Sequence, residues 1–156
     1  MKIGVYVGSF DPLTNGHLDI INRASNIFDK VIVLVAINTS KNYLFSIDER
    51  VEMLLKSIKL DNVFVEKLEG LLANYLSKYE KVCIIKGIRN YMDFEYEYQM
   101  SLFNKSLNKN IETVFLASSP LYNHLNSTMI KEINYFGADI SEFVPEYVAI
   151  KLYEKR

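Results

Sequence analysis

A chain of 156 residues that is 49% apolar and 24% charged has the composition of an ordinary globular protein and can bury about 68–70% of its unfolded surface. Its net charge of −1 excludes a nucleic-acid grip built on bulk electrostatics, because such a grip needs clustered excess Lys and Arg. A single cysteine, Cys83, excludes an intrachain disulfide and fits a reducing compartment, and no N-terminal stretch has the apolar length of a signal peptide or membrane span, so a cytoplasmic protein without membrane or nucleic-acid partners is expected.

The elements alternate. An apolar run, Ile3–Val7, reads as a buried strand, and Leu18, Ile21, Ala24, Ser25 and Phe28 recur at helical spacing over about 16–28. Between them lies Gly8-Ser9-Phe10-Asp11-Pro12-Leu13-Thr14-Asn15-Gly16-His17. A Gly/Pro-rich turn thus puts a histidine in the first turn of a helix. Unpaired N–H groups and the helix dipole make that end a place where phosphates bind. A strand over Val31–Ile37 and a helix over 47–58 follow, the helix opened by the capping box Ser46-x-x-Glu49. Next come a strand at Val63–Val65, a helix at 71–79, a strand at Val82–Lys86, a helix at 91–107 and a strand at Thr113–Ala117. A helix beginning near Ser127 stops at Phe136 before Gly137, a C′ residue, and a last helix starts at Pro145 and runs toward Tyr153.

This order predicts an α/β fold: one Rossmann-like domain over residues 1–156, with a five-stranded parallel sheet and helices on both faces. No repeat, low-complexity tract or linker divides it. Ligands of such sheets bind beyond the carboxyl ends of the strands. Those ends deliver Gly8-Ser9-Phe10, Asn38-Thr39-Ser40-Lys41, Lys86-Gly87-Ile88-Arg89 and Ser118-Ser119-Pro120. Convergence of His17, Lys41, Lys86 and Arg89 on one rim suggests a polyphosphate ligand. Neither G-x-x-x-x-G-K-S/T nor a G-x-G-x-x-G after the first strand is present, which argues against a P-loop or a dinucleotide fingerprint. Cys and His are too few for a common zinc site.

Thr14-Asn15-Gly16-His17 after a strand resembles the H/T-x-G-H motif of the nucleotidyltransferase superfamily, and Leu125-Asn126-Ser127-Thr128-Met129-Ile130 resembles its second motif, which opens a late helix. Within that superfamily the chain is similar to the bacterial phosphopantetheine adenylyltransferases over nearly its full length. The segments that carry the likeness are Gly8 to His17, Ser40-Lys41, Lys86 to Arg89 and Asp93 to Asn104. The resemblance implies transfer of AMP from ATP to 4′-phosphopantetheine, giving dephospho-coenzyme A and pyrophosphate. It implies magnesium carried with ATP, a homo-oligomer (a hexamer) and inhibition by coenzyme A.

The resemblance also implies roles. His17 stabilises the transition state on the α-phosphate and Lys41 bridges attacking and α-phosphates. Ser9 binds the incoming phosphate, while Ser9 and Phe10 backbone groups touch ATP. Lys86 binds phosphopantetheine, and Leu72, with Leu71, lines its arm. Gly87, Ile88 and Arg89 hold ATP, with Arg89 on the phosphates, and Glu97 accepts from sugar or base. Tyr122, Asn123, His124, Leu125, Asn126, Ser127 and Thr128 close over adenine and the β,γ-phosphates. Three positions depart from the family pattern: Lys86 for arginine, which loses the bidentate fork; Asn126 for serine, which can still cap a helix; and Ser9 for threonine, which keeps the hydroxyl.

Other readings of these residues are plain ones. His17 can cap its own helix, Lys41 and Lys86 can be surface lysines, and His124 an exposed loop residue. Asp11 can order its turn, Phe94, Tyr98 and Leu102 can be core or subunit interface, and Cys83 strand packing. The alternative functions are another H/T-x-G-H nucleotidyltransferase, such as a nicotinate-mononucleotide adenylyltransferase, a catalytically silent nucleotide-binding module, or a class I aminoacyl-tRNA synthetase fragment.

Overall fold

The computed structural model describes residues 1–156. Strand β1 (Ile3–Gly8) leads into α1 (Asn15–Ile27), β2 (Lys30–Val35), α2 (Ile47–Ser57), β3 (Val63–Lys67), α3 (Leu72–Leu76), β4 (Val82–Ile88), α4 (Tyr91–Leu107), β5 (Ile111–Ala117), α5 (Ser127–Tyr135) and α6 (Glu146–Glu154). All pairings are parallel, in the order β3-β2-β1-β4-β5. The chain winds outward from β1 through β2 to β3, then returns to the other side of β1 as β4. The connections above β1 and β4 therefore diverge, and this switch point opens the crevice where such folds bind ligands.

The central strands are apolar on both faces, as buried parallel strands require. Val31, Val33 and Val35 face a core shared with α1, α2, α5 and α6, while Ile32 and Leu34 face a smaller one with Ala73 and Leu76 of α3. This period-2 division fixes the register, because a one-residue slip would exchange the two faces. In β1, Gly4 allows α1 to lie close: a Cβ there would sit 2.6 Å from Ile85 Cδ1 and 2.8 Å from the Phe28 ring.

Every predicted element is present, with shifted ends. β2 stops at Val35 rather than Ile37; the Ala36 carbonyl turns to accept from Arg50 and Ile37 is exposed. β3 continues to Lys67 and β5 starts at Ile111. α3 is only five residues long, because the Ser77 N–H already shares itself between Ala73 and Asn74 carbonyls, a tightened last turn. Pro145 is extended and precedes α6 instead of opening it. The Phe94–Tyr98–Leu102 stripe is not core of this chain: the three side chains are 40–54% exposed.

Candidate active site

The first turn of α1 is closed by Thr14. Its Oγ1 accepts from the His17 N–H (3.2 Å), while the Thr14 N–H donates to His17 Nδ1 (3.0 Å). Histidine here takes the place that Glu or Gln fills in a usual capping box. A backbone N–H can donate only to an unprotonated nitrogen, so Nδ1 is the acceptor and the ring proton of neutral His17 sits on Nε2. The capping role and the phosphate-donor role therefore belong to the two different nitrogens of one ring. The imidazole rests edge-on against Phe10 (centroids 5.1 Å apart) and beside Tyr6 (6.4 Å). Burial among these rings, and secondarily the positive charge of Arg89, lower its pKa to about 4. His17 is thus uncharged at neutral pH.

That shift has a stability consequence. Between about pH 6.5 (unfolded) and about 4 (folded) the unfolded chain binds more protons, so stability rises with pH. The contribution is fully present above about pH 6.5 and is lost as pH falls toward 4; allowing for the ring's partial exposure it is about 2 kcal/mol. Urea titrations at pH 7 and pH 4.5 should show a His17→Gln variant losing less stability than the parent over this interval. Equal losses would mean the ring does not titrate so low.

Phe10 reaches this place through a left-handed backbone, φ +50°, a conformation a non-glycine residue adopts at a cost of about 1 kcal/mol or more. The turn folds its ring back over Gly8, where a Cβ would stand 3.1 Å from it. Asp11, next in sequence, is buried and accepts from the N–H groups of Leu44 (3.0 Å) and Phe45 (2.9 Å) and pairs with Lys131 of α5 (2.8 Å). It ties the segment after Lys41 and the helix after the second motif to the first turn. Lys41 itself lies at the end of a turn closed by its N–H to the Asn38 carbonyl (3.0 Å).

These elements enclose a cleft of about 610 Å³ over the carboxyl ends of β1 and β4. Of the residues singled out in the sequence, Ser9, Phe10, His17, Lys41, Gly87, Arg89, Glu97, Tyr122, Leu125, Asn126, Ser127 and Thr128 line it. Lys86, Ile88, Asn123, His124 and Leu72 do not. Lys86 pairs at 3.1 Å with Glu97, which does. His124 lies edge-on to Phe143, and Leu72 packs at the second core. Asn126 caps α5 by accepting from Met129 N–H (2.8 Å), so asparagine serves where the family pattern has serine, and Ser127 Oγ donates to the Pro12 carbonyl (2.8 Å).

The charges are arranged in pairs. Arg89 holds Asp93 through Nε (2.9 Å) and Nη2 (3.2 Å) and reaches across to the Leu125 carbonyl with Nη1 (3.0 Å). Burial works to raise the Asp93 pKa, but hydrogen bonds from Arg89 and its charge outweigh that and hold it below the ordinary range. Lys131 has Asp11 and Lys86 has Glu97. Lys41 is therefore the cation on the cleft wall that has no carboxylate partner.

Four residues at the site escape the strand-end argument. Lys131 follows Ser127 by one helical turn, and Asp93 follows Arg89 by four residues on entering α4; both spacings were legible signals. Arg50 sits on the apolar stripe of α2 with Met53 and Leu54, and a charge on such a stripe is the informative exception. It is 1% exposed and donates to the carbonyls of Ser9 (2.7 Å) and Ala36 (3.0 Å) beneath the face of Tyr43 (4.2 Å). The fourth, Tyr6, gives no signal within its strand.

The chain matches the cytidylyltransferase-like family over residues 5–133. It is 52% identical over 156 residues to the phosphopantetheine adenylyltransferase of Caldanaerobacter subterraneus subsp. tengcongensis, covering 99% of this chain and 98% of that one. It is 55% identical over 152 residues to that of Dictyoglomus turgidum, covering 97% and 95%. Among solved structures, a bifunctional NMN adenylyltransferase/ADP ribose pyrophosphatase from Francisella tularensis superposes with a TM-score of 0.73 at 20% identity, over 98% of this chain and 49% of that one. The nicotinic acid mononucleotide adenylyltransferase of Plasmodium falciparum gives 0.71 at 15% identity, over 99% and 95%. At these identities the two structures show the shared fold alone.

Proposed function

We propose, from the premise that the chain belongs to the cytidylyltransferase-like family and within it to the phosphopantetheine adenylyltransferases, that it transfers the adenylyl group of ATP to 4′-phosphopantetheine, with dephospho-coenzyme A and pyrophosphate as products. The observation that carries the acceptor is the match at 52–55% identity over nearly the whole chain to relatives so named. The cleft supports the chemistry. An oxygen of the acceptor phosphate forms a bond to the α-phosphorus while the bond to the bridging oxygen of the β-phosphate breaks, and that oxygen leaves with pyrophosphate. A phosphate monoester with a second pKa near ~6 is mostly a dianion at neutral pH, so no protein base is needed. What the site must supply is alignment and charge neutralisation.

In this reading His17 offers its Nε2–H to a non-bridging α-oxygen. Lys41, the unpaired cation, bridges attacking and α-phosphates, and Ser9 receives the acceptor phosphate. Gly87, Ile88 and Arg89 hold ATP, whose β,γ-phosphates meet the N-terminus of α5 at Ser127 and Thr128, with Tyr122 to Asn126 beside adenine. Lys86, Glu97 and Leu72 serve the ends of the two substrates. A divalent cation, magnesium in this reading, arrives with ATP and is held by phosphate and water oxygens. The residues do not fit a resident metal cage: no three His, Cys, Asp or Glu side chains cluster, and Asp11, Asp93 and Glu97 are each engaged by a cation.

Assembly into a homo-oligomer, a hexamer by resemblance, belongs to the same proposal; exposed Tyr91, Met92, Phe103 and Leu107 on α4 support it. To the same proposal belong a cytoplasmic location, in keeping with the single cysteine, the action of all 156 residues as one domain, and inhibition by coenzyme A, which shares the pantetheine and nucleotide halves of the product. No helix is long and apolar enough to cross a membrane.

Pyrophosphate release measured with ATP and each acceptor tests the reaction. Turnover is expected with 4′-phosphopantetheine and not with nicotinate mononucleotide; the reverse preference would overturn the assignment.

A further inference from the structure

We propose that Tyr6 is a catalytic residue whose hydroxyl donates a hydrogen bond to the phosphate undergoing transfer, alongside His17. The inference rests on the adenylyl-transfer reading above. Tyr6 is central in β1, paired with Val33 on one side and Ile85 on the other, and only 7% exposed. Its ring meets Phe10 edge-on (centroids 5.5 Å) and lies beside His17 (6.4 Å), so the two polar side chains share one aromatic wall.

The hydroxyl itself is oriented by nothing in the protein. Arg89 and Glu97 act on it through charge alone, with no hydrogen bond. The polar side-chain atoms sealed away without a hydrogen bond are Arg50 Nε, Ser57 Oγ and Glu97 Oε2, the last of them 3.1 Å from the Lys86 ammonium. Tyr6 Oη is not among them, because the residue opens on the cleft. It lies beside Gly87, where a Cβ would come within 4.0 Å of it. That position is the floor of the crevice at the β1–β4 switch point, between the Lys41 side and the Glu97 side. A ligand that spans the cleft presents its middle there, and in this reaction the middle is the phosphate bridge being made.

The chemistry suits the place. Phenylalanine would pack the same ring without the cost, about 1–3 kcal/mol, of a nearly buried polar group lacking a protein partner. Burial raises the phenol pKa, with Arg89 opposing and Glu97 adding to the rise, so the O–H is retained. Tyr6 and His17 are then two neutral, fixed donors that gain strength as negative charge gathers on the reacting phosphate.

The test is Tyr6→Phe, which keeps the ring and its packing. With ATP and 4′-phosphopantetheine, kcat should fall roughly 10–100-fold, both KM values should stay within about threefold, and Tm should hold or rise by a few degrees, because an unpartnered, nearly buried hydroxyl is removed. A kcat within twofold of the parent would overturn the proposal. So would a loss confined to KM, which would place the hydroxyl on a ground-state contact, or a loss that tracks a lowered Tm. The parent's own turnover separates the two readings. If the parent turns over and the variant matches it, Tyr6 alone is reassigned; if the parent is inactive with this pair, the reaction and the role of Tyr6 both fall.

Discussion

Replacing His17 by alanine should lower kcat by about 10²–10³, or roughly 2.7–4 kcal/mol, the loss seen when one preorganised donor to a developing oxyanion is removed. The KM values should change far less. Two features of the site favour a transition-state role. Nδ1 is already held by the Thr14 N–H, so Nε2–H points with little freedom and loses little on reaction. The ring is also neutral, with a pKa near 4, so it adds no charge that would bind ground-state phosphates tightly. The same value predicts that kcat in the parent shows no inflection near pH 6.5 from His17; any fall near pH 6 reports protonation of the acceptor phosphate. A His17→Ala variant whose defect lies mainly in KM would make the residue a ground-state ligand instead. The variant also loses one side of the capping box, which costs about 1 kcal/mol of stability, so rates should be compared well below its Tm.

The sequence carried the strand ends more clearly than the walls between them. Parallel α/β order, apolar strands and the rule that ligands sit at the carboxyl ends were enough to bring Ser9, His17, Lys41 and Arg89 to one cleft. Charge could not be read that way. Lys86, Arg89 and Lys131 each have an acidic partner in the fold, and of these only Asp93, four residues after Arg89, forms a local pair. Two of those partners, Glu97 and Asp11, lie 11 and 120 residues from the lysines they meet, beyond any local pattern. Phe94, Tyr98 and Leu102 have the spacing of a buried stripe, yet apart from the Phe115 ring edge-on to Phe94 they stay 40–54% exposed, since hydrophobic periodicity reports a face without saying what packs on it. Tyr6 was invisible for a related reason. Within an apolar strand a tyrosine reads as core, and only the open switch point shows that its hydroxyl meets solvent.

Arg50 gives the second large effect. Its guanidinium is buried without a carboxylate partner and with Nε unpaired, an arrangement that costs several kcal/mol in desolvation. Charge-assisted bonds to the Ser9 and Ala36 carbonyls, about 1.5–3 kcal/mol each, and the face of Tyr43, about 2 kcal/mol when dry, offset that cost. Arg50→Ala removes the desolvated charge, which is a gain. It also orphans two carbonyls, at about 1–3 kcal/mol each, and opens a cavity under Tyr43. The second set is larger, so a net loss of about 2–4 kcal/mol is expected, a fall in Tm of roughly 5–15 °C for a chain of this size. Those carbonyls end β1 and β2, and Tyr43 Oη accepts from Asn38 N–H at the base of the turn that carries Lys41. Ser9 and Lys41, the proposed holders of the acceptor phosphate, should therefore drift together. KM for 4′-phosphopantetheine should rise about tenfold or more, and KM for ATP, which meets Ser9 and Lys41 but is held mainly on the β4–α5 side, should rise by less. Arg50→Lys keeps a charge able to donate to both carbonyls, which one nitrogen, Nη1, already serves, but it lacks the planar group that lies against Tyr43, so it should recover only part of each effect. Differential scanning calorimetry and two-substrate kinetics on both variants decide the matter. An Arg50→Ala protein that melts within about 2 °C of the parent, or whose two KM values rise by the same factor, would show that this arginine does not position the acceptor side of the site.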